Sequence, residues 1–139
     1  MEAIFAATSG GAFGMEGTMP WPSIKEDFAN FKKVTMGKTL SVAKTTLFTL
    51  PELKGRTLKL IGRNDEIPED SIIIGGTSLL TVDNLKKCKT IYFTLVEGDH
   101  YADTFIPKDV MEYVEEKCEN AEVLFVSGSC TIFKITNEA

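Results

Sequence analysis

Apolar residues fall along this chain in short blocks, and polar punctuation separates them. Ile4-Phe5-Ala6-Ala7 is a brief apolar run that breaks at Thr8-Ser9-Gly10-Gly11, which reads as a strand entering a loop. Pro22-Ser23 marks a helix start, with Ser23 as cap and Glu26 as its box partner three residues on. That helix runs from about Ile24 to about Val34 and stops at Met36-Gly37-Lys38. Thr39–Ala43 is a strand, and Lys44-Thr45-Thr46 opens a short helix that Pro51 must end. Leu53-Lys54-Gly55-Arg56 is a turn, Thr57–Ile61 a strand closed by Gly62, and Arg63–Asp70 a polar loop.

Ser71-Ile72-Ile73-Ile74 shows no alternation, the pattern of a strand covered on both faces. It runs into Gly75-Gly76-Thr77-Ser78, and a helix is expected through Leu79, Leu80 and Leu85. Thr90–Leu95 is the next strand, and Asp109–Glu116 after Pro107 is a surface helix. Ala121–Val126 and Thr131–Thr136, separated by Ser127-Gly128-Ser129, form a hairpin. Strands that alternate with helices predict an α/β domain with a mostly parallel sheet and an antiparallel C-terminal edge. At 139 residues, one domain with one core is expected over positions 1–139.

Composition narrows the function classes. A net charge of -5 argues against nonspecific binding to nucleic acid or to an anionic membrane. No apolar run is long enough to span a bilayer and no basic-then-apolar leader is visible, so a soluble cytoplasmic protein is expected. Cys88, Cys118 and Cys130 are widely spaced and read as reduced, partly buried thiols. His100, the single histidine, lies in the polar run Glu97-Gly98-Asp99-His100 and reads as a solvated loop residue. One loop histidine makes neither a metal site nor a hydrolytic triad, so neither is expected.

Candidate chemistry gathers in four places. Asp27 and Phe31 are spaced i, i+4 and share a helix face, where a carboxylate costs free energy unless something polar meets it. It also reads as a first-turn acid that complements the helix dipole. Lys44-Thr45-Thr46 and Gly75-Gly76-Thr77-Ser78 each put hydroxyls at a helix start, where backbone N–H groups can hold phosphate. Arg63, after Gly62, adds a cation suited to another phosphate. Tight turns and caps also account for each of these singly. On one edge of one sheet they suggest a ligand with several phosphates.

In order, these pieces resemble dihydrofolate reductase. Gly14-Met15-Glu16-Gly17-Thr18-Met19-Pro20-Trp21 looks like the active-site loop of bacterial members, and Asp27-x-x-x-Phe31-Lys32 like their substrate helix. Leu53-Lys54-Gly55-Arg56, Ile72-Ile73-Ile74-Gly75-Gly76, Tyr92-Phe93-Thr94 and Asp103-Thr104 match further family segments. The resemblance covers most of residues 4–107 and implies the family's three-layer α/β fold. It implies reduction of 7,8-dihydrofolate with NADPH by a monomer, Asp27 assisting protonation at N5, with Trp21 and Thr94 as its catalytic neighbours. Phe5, Ala6, Phe28, Phe31, Lys32, Leu50 and Ile74 would surround the substrate, and Arg56 would grip its glutamate. Ala7, Phe13, Gly14, Met19 and Trp21 would flank the nicotinamide. Lys44, Thr45, Thr46, Arg63, Gly75, Gly76, Thr77, Ser78 and Leu79 would hold the rest of the cofactor.

The chain departs from the family pattern at four points. Ala43-Lys44 stands where Gly-Arg is usual, and Leu80 where a tyrosine is usual. Trp21 and Asp27 are one residue further apart than in common bacterial members, which makes Glu26 a rival acid, although the register to Phe31-Lys32 favours Asp27. The segment between Ile61 and Ile72 is too short for a strand and helix usual there, so a sheet of eight strands is expected to lose one. A riboflavin-pathway-type pyrimidine reductase and a non-catalytic folate-binding or structural protein of the same fold are the alternatives.

Overall fold

The computed structural model describes residues 1–15, 19–48 and 50–137. Glu16, Gly17 and Thr18 of the glycine-bearing loop lie outside the described residues. β1 (Glu2–Thr8) is the middle strand of a seven-stranded sheet. On one side of it lie β5 (Ile72–Gly75), β3 (Thr39–Val42) and β4 (Thr57–Leu60), all parallel. On the other lies β6 (Thr90–Val96), parallel to β1 and paired antiparallel with β9 (Cys130–Thr136), which in turn pairs antiparallel with β8 (Glu122–Val126). The α/β class, the parallel centre and the terminal hairpin match the pattern in the sequence.

Alternation along β1 sends Ala3, Phe5 and Ala7 to one face and Ile4 to the other. The first face carries α3 (Val82–Lys87) and α4 (Lys108–Cys118), which bury Leu85, Val110, Met111 and Val114 against it. Against the second face, Phe31 and Val34 of α1 (Lys25–Thr35) and Leu47 of α2 (Lys44–Leu47) pack on Ile4, Leu40, Ile72 and Ile74. Every residue of β5 is buried, as an unbroken apolar run between two helix layers requires. Burial pushes the Cys88 and Cys118 thiols up to about 11, which suits inert packing residues.

Three local expectations are corrected. Ser23 does not cap α1: Ile24 holds that position in extended conformation, and its carbonyl accepts the N–H groups of Asp27 and Phe28. The first-turn acids Glu26 and Asp27 complement the helix dipole instead. Leu79 and Leu80 precede α3 rather than lying in it; both N–H groups donate to the Gly76 carbonyl in a separate turn, and the helix restarts where Thr81 Oγ1 accepts the Asn84 N–H. A small second sheet, β2 (Ala12–Gly14) with β7 (Thr104–Phe105), occupies residues read as loop.

The chain returns from β4 to β5 through residues 61–71 with no intervening strand or helix, so β4 is the sheet edge. Two devices make so short a return possible. Asp65 Oδ2 accepts the Gly62 N–H at 2.7 Å and closes a tight turn. Ser71 then fastens the far end, sharing a 2.7 Å hydrogen bond with Ser41 of β3 while its carbonyl accepts the Glu2 N–H.

Candidate active site

Asp27 sits on the first turn of α1, facing β6. Thr94, buried on β6, donates its hydroxyl to Asp27 Oδ1 at 2.6 Å. Burial raises the Asp27 carboxyl above its usual range, and the Thr94 bond offsets part of that rise. Glu26, the rival acid, is exposed. The two-residue contrast follows from helical geometry: adjacent positions lie about 100° apart, so only one of them can face the sheet.

The same face gathers Phe31, Leu50 and Ile74 around the sheet end. Phe28 is 46% exposed and stands at the rim rather than within the wall. Lys32 points to solvent, and Ala6 is half-buried. Phe5 is placed differently from the expectation of a substrate wall, while Ala7 lies in the cluster against which Phe13 packs. Both point to the α3/α4 face, with Phe5 packed on Phe93 at 5.1 Å between ring centroids, so their side chains do not share the Asp27 face.

Arg56 follows a turn that only glycine permits. Gly55 has φ +80°, and a Cβ there would meet Met36 Sδ at 2.5 Å. The turn delivers Arg56 to the end of α1, where its Nη1 donates to Thr35 Oγ1 at 3.4 Å. Thr35 is fully buried and itself donates to the Phe31 carbonyl at 2.7 Å. Arg56 Nε is buried without a protein partner, as is the indole Nε1 of Trp21. Unsatisfied buried donors are costly in a fold and are the groups a polar ligand would complete.

A second constellation forms where β5 ends. The Gly75–Gly76 peptide is cis, and a Cβ on Gly76 would lie 2.8 Å from Thr46 Oγ1. A Cβ on Gly75 would meet Thr46 and Phe13. Thr45, Thr46, Phe13 and the glycine pair therefore come together, with the Thr46 side chain packed where a Cβ would sit. Gly14 and Met19 are half-buried, and Lys44 and Thr45 are exposed at the start of α2. Thr77 is half-buried in the turn before α3. Arg63, Ser78 and Leu79 line a separate stretch, a cleft of about 560 Å³ between the 62–70 loop and α3. Leu80 is fully buried in the core.

One contact escaped sequence reasoning. His100 is half-buried against Trp21, with ring centroids 6.2 Å apart, and is not the solvated loop residue expected. No local pattern around His100 signals this, because the contact joins segments about eighty residues apart.

The family model described as dihydrofolate reductase matches residues 1–71. The chain belongs to the dihydrofolate reductase family. Among relatives, dihydrofolate reductase type 8 of Escherichia coli is 44% identical over 64 residues, 45% of this chain. That match spans only 38% of the type 8 protein's length. Dihydrofolate reductase of Mycoplasma genitalium is 26% identical over 141 residues, covering 81% of this chain and 86% of its own. The dihydrofolate reductase from Enterococcus faecalis complexed with NADP(H) and RAB-propyl has the same fold, at TM-score 0.70 and 21% identity over 99% of this chain and 96% of that one.

Proposed function

We propose that this protein reduces 7,8-dihydrofolate to tetrahydrofolate with NADPH. The observation that carries the reading is Asp27: a half-buried carboxylate with a raised pKa, oriented by Thr94, on an otherwise apolar helix face. Such a group keeps its proton to higher pH than a free carboxylate does, and when ionised it accepts hydrogen bonds from an amino group and a ring nitrogen. Asp27 would hold the pterin edge and favour protonation at N5, while Thr94 fixes the carboxylate's orientation. Phe31, Leu50 and Ile74 would wall the ring, and Arg56 would take the glutamate carboxylate with its free Nε edge.

NADPH would supply the hydride. The residues present fit it: the absence of a Cβ on the glycine pair brings its backbone against the Thr45 and Thr46 hydroxyls at the start of α2, where phosphate oxygens are readily held. Trp21 would border the nicotinamide and exclude water. Arg63 and Ser78, lining one cleft, would receive the adenosine end.

The test is loss of NADPH absorbance on adding dihydrofolate, repeated with a pyrimidine substrate. Turnover with dihydrofolate alone supports the reading; turnover with the pyrimidine alone overturns it, and binding without turnover identifies a folate binder. Arg56→Leu should weaken substrates bearing glutamate by about 1.5–3 kcal/mol and barely alter a bare pterin.

A further inference from the structure

Trp21 is the chain's single tryptophan and His100 its single histidine, and the fold brings the two rings into contact. Trp21 is 5% exposed, in a bend between Pro20 and Pro22. His100 arrives from the 97–103 loop, which is fixed at both ends. The Glu97 N–H donates to the Ser129 carbonyl at 2.8 Å, and the Asp103 N–H donates to the Gly14 carbonyl at 2.9 Å. Within the loop, Gly98 at φ +91° turns the chain so that His100 Nε2 lies 3.1 Å from the Glu97 carbonyl. A carbonyl only accepts, so Nε2 carries the proton and Nδ1 is the atom left to take one up.

We propose that His100 is a positioning residue for Trp21: its ring backs the indole, and protonation at Nδ1 tightens that hold. The charge on a protonated imidazole is drawn to an indole face within about 6 Å, and the two ring centroids here lie 6.2 Å apart with their planes at 67°. The charged groups on the elements that meet there are Glu97, Asp99 and Asp103 on the loop and Lys25, Glu26 and Asp27 where the Trp21 segment enters α1. No charged residue lies between Met19 and Ser23 on the tryptophan side. The proposal rests on the reductase reading only in that Trp21 would border the nicotinamide; a bound cofactor would then meet a wall held from behind.

The single tryptophan makes the test direct. Emission of the ligand-free protein is followed from about pH 8 to about pH 5, the span over which histidine ordinarily gains charge. An imidazolium quenches a neighbouring indole, so wild-type emission should fall as the pH drops. His100→Phe keeps a ring against Trp21 without a proton and should abolish that change. His100→Ala should leave the indole open to an added quencher and raise KM for NADPH about two- to fivefold. Flat wild-type emission, or a His100→Phe variant that titrates like wild type, overturns the proposal. The emission signal needs no substrate. A chain without reductase activity whose emission still titrates through His100 removes the reductase reading and keeps this one.

Discussion

At the scale of single residues, Asp27 shows what a partly buried carboxylate does to a fold. Its carboxyl holds its proton to higher pH in the folded protein than in the unfolded chain. Above the unfolded value the folded state therefore binds more protons, and stability falls as pH rises through that window. Asp27→Asn removes the penalty and keeps a partner for Thr94. The variant should melt a few degrees higher than wild type at pH 7, with the gap closing toward pH 3, while dihydrofolate turnover drops at least about a hundredfold. Thermal melts at several pH values alongside steady-state rates check both halves; an unchanged rate would move the acid to Glu26. The register to Phe31-Lys32 made Asp27 legible in the sequence. Phe5 was less so, since alternation tells which residues share a face but not which face meets a ligand. His100 was not legible, because its partner lies far away along the chain.

At the scale of elements, α3 is only six residues long and depends on help from outside itself. The Asn137 side chain donates both amide hydrogens to its end, to the Leu85 carbonyl at 3.0 Å and the Cys88 carbonyl at 2.8 Å. The Leu85 carbonyl also accepts the Cys88 N–H, so the amide adds a second donor there and reaches the Cys88 carbonyl beyond the helix end. Asn137→Ala should cost about 1–3 kcal/mol, read as a lower midpoint in urea at unchanged slope. The start of α3 was readable after the fact from Thr81-Val82-Asp83-Asn84, a cap followed by a first-turn acid. The two leucines before it hid that signal by extending the apolar pattern through a turn. The β2–β7 ribbon was not readable, because strands of three and two residues carry no periodicity.

For the molecule as a whole, the direct return from β4 to β5 carries no element to cover the adenosine end of the proposed cofactor, whose binding should then lean on charge. NADPH affinity should then fall steeply with added salt, since exposed ion pairs are screened beyond about 10 Å at 0.1 M. Arg63→Ala should narrow the preference for NADPH over NADH. Titrations of both cofactors at two salt concentrations decide it, and an unchanged preference would exclude Arg63 as the 2′-phosphate ligand. The order of strands across the sheet has a consequence for biosynthesis. β9 is the last described strand to be made, yet it lies inside the sheet between β6 and β8. On the ribosome, β8 emerges first with no neighbour to pair with, and β6 waits with one side open. The nascent chain cannot complete its sheet until residue 136 has cleared the exit tunnel. The interval before that moment is when a chaperone would have the most to hold.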